Sequence, residues 1–203
     1  YEVIAFTDND KNKWGKTLWD IPIYAPSKCI YDLDYNCLII TSAPGMTSIK
    51  EQCIQMGVQE EKIITSYVEA PLESRRLFLE GFSKLIREQS EDGECAEVGV
   101  FEGDFAKWIN FYFPDRMLHL FDTFEGFDKR DIIKEGNYSK AKQGEYNNTS
   151  IEIVLKKMYC SQKCIIHKGY FPETAQGIGN RFCYVNLDVD LYEPTYNGLC
   201  FFH

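Results

Sequence analysis

Apolar residues fall in short runs along the chain, separated by glycine turns and by stretches with helical spacing. The clearest such stretch lies between Glu94 and Phe127. Residues 95–100 form an apolar run that Gly99 and Gly103 close. Residues 105–113 place apolar side chains at helical intervals, and 117–121 form a second apolar run ending on Asp122. Strand, glycine turn, helix and strand in that order predict one βαβ half of a nucleotide-binding α/β fold. Glycines at such a turn let backbone approach a ligand, and an acid about 20 residues on can hold ribose hydroxyls.

The remaining pattern continues the alternation of strands and helices. Residues 2–6 read as a short strand ending in Thr7-Asp8-Asn9-Asp10, with a turn predicted at Pro26-Ser27. A strand over 37–41, a turn at 42–45, a helix over 47–56 stopped by Gly57, and a strand at Ile63-Ile64 follow. Residues 1–68 are therefore expected to form a small, partial Rossmann-like domain. It lacks a first strand and glycine turn of its own, so a docking or scaffold role is expected of it. Ala5-Phe6-Thr7-Asp8-Asn9-Asp10, Trp14-Gly15 and Ile21-Pro22-Ile23 resemble the Rossmann-like N-terminal domain found ahead of sugar-modifying enzymes.

Glu69-Ala70-Pro71 marks the expected boundary, and 69–203 forms the second domain. Apolar spacing predicts a helix over 72–88 ahead of the central βαβ. After Asp122 and Thr123-Phe124-Glu125-Gly126-Phe127, residues 128 to about 148 are polar and aperiodic, which suits either a lid or a disordered insertion. Ser150 reads as the N-cap of a helix over 151–158. Strands are predicted at 164–167 and 182–189, with an intervening aromatic loop, Tyr170-Phe171, that either stacks on an adenine or anchors itself.

Asp188 and Asp190 fall at the carboxyl end of that last strand, the edge where open α/β sheets bind ligands. Strand alternation would point both carboxylates to one face. Two acids that close repel unless a cation or a shared proton relieves them, and oxygen ligands favour magnesium or calcium. The plain alternative is a solvated acidic turn.

Composition narrows the classes. The chain has 203 residues with 22 Lys+Arg against 31 Asp+Glu, a net charge of −9. That balance argues against a nucleic-acid groove, which needs a basic face. No apolar run approaches the roughly 18 residues of a membrane span. The eight cysteines are scattered, several within apolar strands, and read as buried free thiols of a cytoplasmic protein. Cys160-x3-Cys164 has no second pair to complete a zinc site.

Glu97-x-Gly99-x3-Gly103, Phe121-Asp122-Thr123-Phe124-Glu125-Gly126-Phe127, Gly169-Tyr170-Phe171-Pro172-Glu173-Thr174 and Leu187-Asp188-Val189-Asp190-Leu191-Tyr192-Glu193-Pro194-Thr195 occur in that order. Together they resemble the macrocin (TylF/MycF-type) O-methyltransferases, a class I S-adenosylmethionine-dependent family, over about residues 72–203. The resemblance implies a Rossmann-like class I methyltransferase sheet, S-adenosylmethionine and a divalent metal, usually magnesium. It also implies methyl transfer to a hydroxyl of a sugar or glycosylated small molecule. By the same likeness Glu97, Gly99 and Gly103 would place the methionine part of the cofactor, and Asp122 with Thr123 would bind the ribose. Asp188 would ligate the metal, and Asp190 would be the general base.

The family pattern runs on past this point through a helix, a fifth strand with further aspartates and a closing hairpin. The expectation is therefore a fragment whose sheet is incomplete at its C-terminal side, with an open edge through which copies could associate. A nicotinamide-dependent sugar-modifying enzyme and a non-catalytic nucleotide-binding scaffold are the alternatives. The first would need a GxGxxG turn and a Tyr-x3-Lys pair, and the one such pair, Tyr138-x3-Lys142, lies in the polar insertion.

Overall fold

The computed structural model describes residues 2–43, 45–137 and 139–203. Tyr1, Pro44 of the turn at 42–45, and Tyr138 of the Tyr138-x3-Lys142 pair lie outside the described residues. The chain divides into two compact units between Arg75 and Arg76.

In the first unit, β1 (Phe6–Thr7) pairs in parallel with β3 (Ile21–Tyr24), which pairs antiparallel with β2 (Thr17–Leu18). Trp19 and Asp20 join β2 to β3 with φ of 52° and 63°, the left-handed pair that a two-residue hairpin requires. Pro26 is not merely a turn residue. It opens α1 (Pro26–Asp32), where its fixed φ and missing N–H suit the first helical turn. β4 (Leu38–Ile39) runs parallel to β5 (Ile63–Ile64), with α2 (Met46–Gln55) between them in the chain. Ile40, Cys53, Val58 and Ile63 form this unit's buried core. The acidic Asp8 and Asp10 serve their own loop. Asp8 accepts from Asp10 N at 2.8 Å and pairs with Lys13 at 2.6 Å, while Asp10 caps Asn12 N at 2.9 Å.

α3 (Ser66–Glu88) begins ahead of the apolar stripe and carries Pro71 inside it, which forfeits one i→i−4 bond. In the second unit β6 (Glu94–Val98), α4 (Ala106–Tyr112) and β7 (Leu118–Asp122) form the expected βαβ. They are followed by α5 (Lys129–Glu135), α6 (Ile151–Lys157), β8 (Cys164–Lys168), β9 (Phe182–Leu187) and α7 (Tyr192–Phe202). The sheet has the order β8-β7-β6-β9 and every pairing is parallel. One face packs Leu79, Cys95, Ile109, Leu118, Leu120 and Val154; the other packs Ala96, Val98, Phe121 and Phe171 against Phe201 and Phe202 of α7. Both faces are covered, as parallel sheets require. Chain order runs outward from β6 through β7 to β8 and then returns to β9, so the β6–β9 crevice is a topological switch point.

One expectation is narrowed and one is corrected. The described residues of the polar stretch 128–148 include a helix: Asp128 caps α5 by accepting from Arg130 N at 2.8 Å. Its far limb folds back through Phe127 N to Glu145 O and Gly144 N to Phe127 O, both 3.1 Å. β9, for its part, stops at Leu187 rather than 189. Asp188 N still bonds Val98 O at 2.9 Å, but Asp190 has φ 57° and leaves the strand direction. Strand alternation therefore does not carry as far as Asp190.

The insertion is pinned to the sheet by Tyr170, whose hydroxyl donates to Asp131 at 2.7 Å while Arg130 stacks 3.6 Å from its ring. Burial raises the Asp131 carboxyl above its ordinary range. Tyr170 thus anchors its loop, and Phe171 is buried among Phe121, Phe201 and Phe202. Tyr170→Phe keeps the ring but removes the hydroxyl, and should cost about 1–2 kcal/mol. A urea midpoint unchanged from the parent would show that the bond contributes nothing.

Candidate active site

Four loops leave the carboxyl edge of the sheet, after β6, β7, β8 and β9; those after β6 and β9 meet through backbone, and the one after β7 joins them through the Asp122 carboxylate. Gly99 has φ 84°, and a Cβ there would sit 2.1 Å from Asp188 O. The close approach it permits is thus to the chain's own β9 loop. Gly103, with φ 77°, faces Val154 of α6, where a Cβ would come within 3.0 Å of Cγ1. Both glycines shape the turn by admitting other parts of the fold.

Asp122 closes the same turn from β7. Its Oδ2 accepts from Val100 N at 2.7 Å and Phe101 N at 2.9 Å, and its Oδ1 accepts from Phe124 N at 2.7 Å. A carboxylate offers about four acceptor directions, so roughly one remains for a ligand hydroxyl. Thr123 Oγ1 donates to Gly126 O at 2.7 Å and accepts from Glu125 N at 3.1 Å, a turn of its own. Glu97 is 1% exposed near the end of β6, and its Oε1 accepts from Asn186 Nδ2 at 2.7 Å across the β6–β9 pairing. Asn186 was missed by sequence reasoning, although an amide inside the apolar run 182–187 is the signal that could have found it.

Four residues at this edge hold left-handed backbone without being glycine: Phe101 (49°), Phe124 (55°), Tyr146 (66°) and Asp190 (57°). Such conformations cost roughly 1–3 kcal/mol each and persist where surrounding contacts over-determine them. Here Tyr146 packs edge-on against both Phe101 and Phe127 at 5.3 Å, which ties the insertion to the glycine turn. A cavity of about 260 Å³ opens beside this contact, lined by Phe127, Ser139, Lys140, Glu145, Tyr146 and Asp190 among others. Burial, then the charges of Asp188 and Glu145, raises the Asp190 carboxyl above its ordinary range. Burial also raises the Tyr146 hydroxyl, followed by the charges of Asp190 and Glu145.

The residues therefore fall into three groups. Gly99, Asp122, Asp188 and Asp190 converge at the sheet edge, Glu97 lies under it, and Gly103 faces away onto α6. For the expected magnesium, which keeps several waters and takes one or two carboxylates, the neighbouring carboxylates at this edge are Asp188 and Asp190. Among the described residues no cluster of three or more His, Cys, Asp or Glu side chains is placed to hold a metal. For S-adenosylmethionine the fit is better, because acceptor-only carboxylates suit a cationic sulfonium and a ribose diol. No helix among the described residues is long and apolar enough to cross a membrane.

Comparison with known proteins adds three findings. A family described as C2185-like, N-terminal, matches residues 1–64. No curated protein matches the chain. The O-methyltransferase NovP matches with a TM-score of 0.51 at 19% identity, over 62% of this chain and 57% of its own. CalS11, a calicheamicin methyltransferase, matches with a TM-score of 0.50 at 19% identity, over 80% of this chain and 74% of its own. This chain thus spans little more than half the length of NovP. These likenesses, with the parallel order β8-β7-β6-β9, identify the fold as a Rossmann-like class I methyltransferase sheet.

Proposed function

We propose that this chain carries the cofactor half of an S-adenosylmethionine-dependent O-methyltransferase that acts on a hydroxyl of a sugar or glycosylated small molecule. The observation that carries this reading is the convergence of the Gly99 turn, Asp122, Asp188 and Asp190 at the switch point of a methyltransferase-type sheet. The four phrases resembling the macrocin O-methyltransferases supply the four loops of that same edge. The sugar reading is further supported by the cavity beside Asp190, which joins aromatic walls, Phe127 and Tyr146, to polar Ser139, Lys140 and Glu145.

S-adenosylmethionine, when bound, supplies a methyl group on an electrophilic sulfonium. This chain's part is to hold the ligand and prepare the acceptor. The turn at 99–103 is kept open by Asp122, and the buried Glu97 carboxyl lies under it. Asp122 then offers the ribose a single remaining acceptor direction, with Thr123 beside it.

A sugar hydroxyl is a weak nucleophile until its proton is removed. Asp190 lies on the cavity wall and its raised proton affinity brings it closer to the pH at which a base works best. Asp188 holds a like charge beside it, and contributes to that shift. Among the described residues no cluster of three donors forms around Asp188, and no step here is routed through a metal.

Titration calorimetry of the protein with S-adenosylmethionine and with NAD is the deciding measurement. Heat with the former and none with the latter is expected. Binding of NAD alone would replace the reading with a nicotinamide-dependent enzyme, and no binding of either would favour a scaffold.

A further inference from the structure

At the amino-terminal edge of the sheet, away from the candidate site, β6 and β9 hold a reactive pair of thiols. Their register pairs Glu94 with Phe182 and then Cys95 with Tyr184, so Cys183 is the extra residue of a bulge. Both Cys183 and Tyr184 consequently pack toward the core that holds Cys95. The Cys95 and Cys183 thiols interact electrostatically with each other. Cys183 Sγ lies 3.6 Å from Gly93 O, the carbonyl that also accepts from Arg116 Nη1 at 2.6 Å. Gly93 allows this crowding, because a Cβ there would be 2.8 Å from Cys183 N.

The two sulfurs differ in a useful way. Cys95 is buried and Cys183 half-buried. The neighbouring Cys95 thiol comes first, then the Arg116 guanidinium, in lowering the Cys183 thiol to about 7. The Cys183 thiol, with burial, pushes the Cys95 thiol up. A half-accessible thiolate beside a buried thiol is the arrangement of an attacking and a resolving cysteine. Cys183 sits in the bulge next to Tyr184, the residue paired with Cys95, so the two cysteines lie on adjacent strands, as a cross-strand bridge requires.

We propose that Cys183 and Cys95 form an oxidation site that takes a hydroperoxide and closes to a disulfide between β6 and β9. The Cys183 thiolate sulfur attacks one peroxide oxygen, and the O–O bond breaks. Cys183 becomes a sulfenic acid, and hydroxide, or an alkoxide from an organic peroxide, leaves and takes up a proton. The Cys95 sulfur then attacks the sulfenic sulfur; the S–S bond forms, the S–O bond breaks, and the departing oxygen takes the Cys95 proton to leave as water. Two thiols are oxidised and one hydroperoxide is reduced. The other close pair, Cys160 and Cys164, lacks this activation. Cys164 takes a hydrogen bond from Asn110 Nδ2 at 3.6 Å, and burial pushes its thiol up to about 11.

The test treats the whole chain with hydrogen peroxide at pH 7, alkylates the remaining thiols and maps peptides by mass. A linked peptide pair containing Cys95 and Cys183 is expected before any other cysteine is oxidised. In Cys95→Ser the resolving thiol is absent, so a sulfenic acid should accumulate on Cys183 and be trapped by dimedone. Iodoacetamide labelling of Cys183 in the untreated parent should reach half its maximal rate near pH 7. First oxidation at exposed Cys200 or at Cys160–Cys164 would overturn the proposal. So would labelling of Cys183 in the parent that rises only with the pH of an ordinary thiol, a result that does not depend on any variant folding.

Discussion

Asp122→Ala should destabilise the second unit by about 3–5 kcal/mol and abolish S-adenosylmethionine binding together with the turn. The side chain satisfies the backbone N–H groups of Val100, Phe101 and Phe124, and alanine leaves all three without that acceptor. Bonds to a charged acceptor contribute about 1.5–3 kcal/mol each, and water entering the vacated space offsets part of the sum. Domains of this size hold only about 5–15 kcal/mol in total, so the loss is a large share. Asp122→Asn separates the structural task from ribose binding. It retains one oxygen but turns an N–H toward backbone donors, so stability should fall as well as affinity. Denaturant midpoints and calorimetry on both variants check this. An Asp122→Asn protein of parental stability with lost affinity would assign the residue to the ligand alone.

Asp190→Asn should lower kcat by about 10²–10⁴ while leaving S-adenosylmethionine affinity near the parental value. The amide has nearly the shape of the acid but cannot take a proton from the acceptor hydroxyl. The pH dependence carries the sign. The base must be ionised, so kcat/KM should fall as pH drops through the raised pKa of Asp190, whose causes are burial and then the charges of Asp188 and Glu145. Asp188→Asn removes one of those charges and should move this acid limb to lower pH. The stability linkage runs the other way. A carboxyl whose folded pKa exceeds its unfolded value of about 3.9 binds more protons when folded, so its contribution declines as pH rises between the two values. An Asp190→Asn enzyme of parental kcat, or an unmoved limb in Asp188→Asn, would remove Asp190 from the base role.

The long apolar segments announced themselves. The β6–α4–β7 unit, the helix capped by Ser150, and strands β8 and β9 follow periodicities that packing on both faces of a parallel sheet imposes. The positions of Asp122 and Asp188 at strand ends were legible for the same reason. What the pattern hid was decided by single contacts. α5 is short and charged, with Ile132 and Ile133 as its apolar residues, and it is held by the cap on Asp128 and the bond from Tyr170 to Asp131. Pro26 could open a helix or a turn, and local sequence does not choose between them. The bend at Asp190 and the three amides on Asp122 are tertiary facts, since each depends on which loop lies next to which. The glycines show the limit most clearly. Their positions were readable, but Gly99 meets Asp188 O and Gly103 meets Val154, neighbours that only the folded chain supplies.

The contact between Gly99 and Asp188 has a mechanical meaning. Gly99 N bonds Phe121 O at 3.0 Å and Asp188 N bonds Val98 O at 2.9 Å, so the ladder continues past the strand ends into both loops. With no space between them, neither loop can hinge independently. On the proposed function, the floor under the cofactor and the segment that leads to Asp190 would move as one plate, and opening of the site would fall to the far wall, the fold-back of residues 139–148.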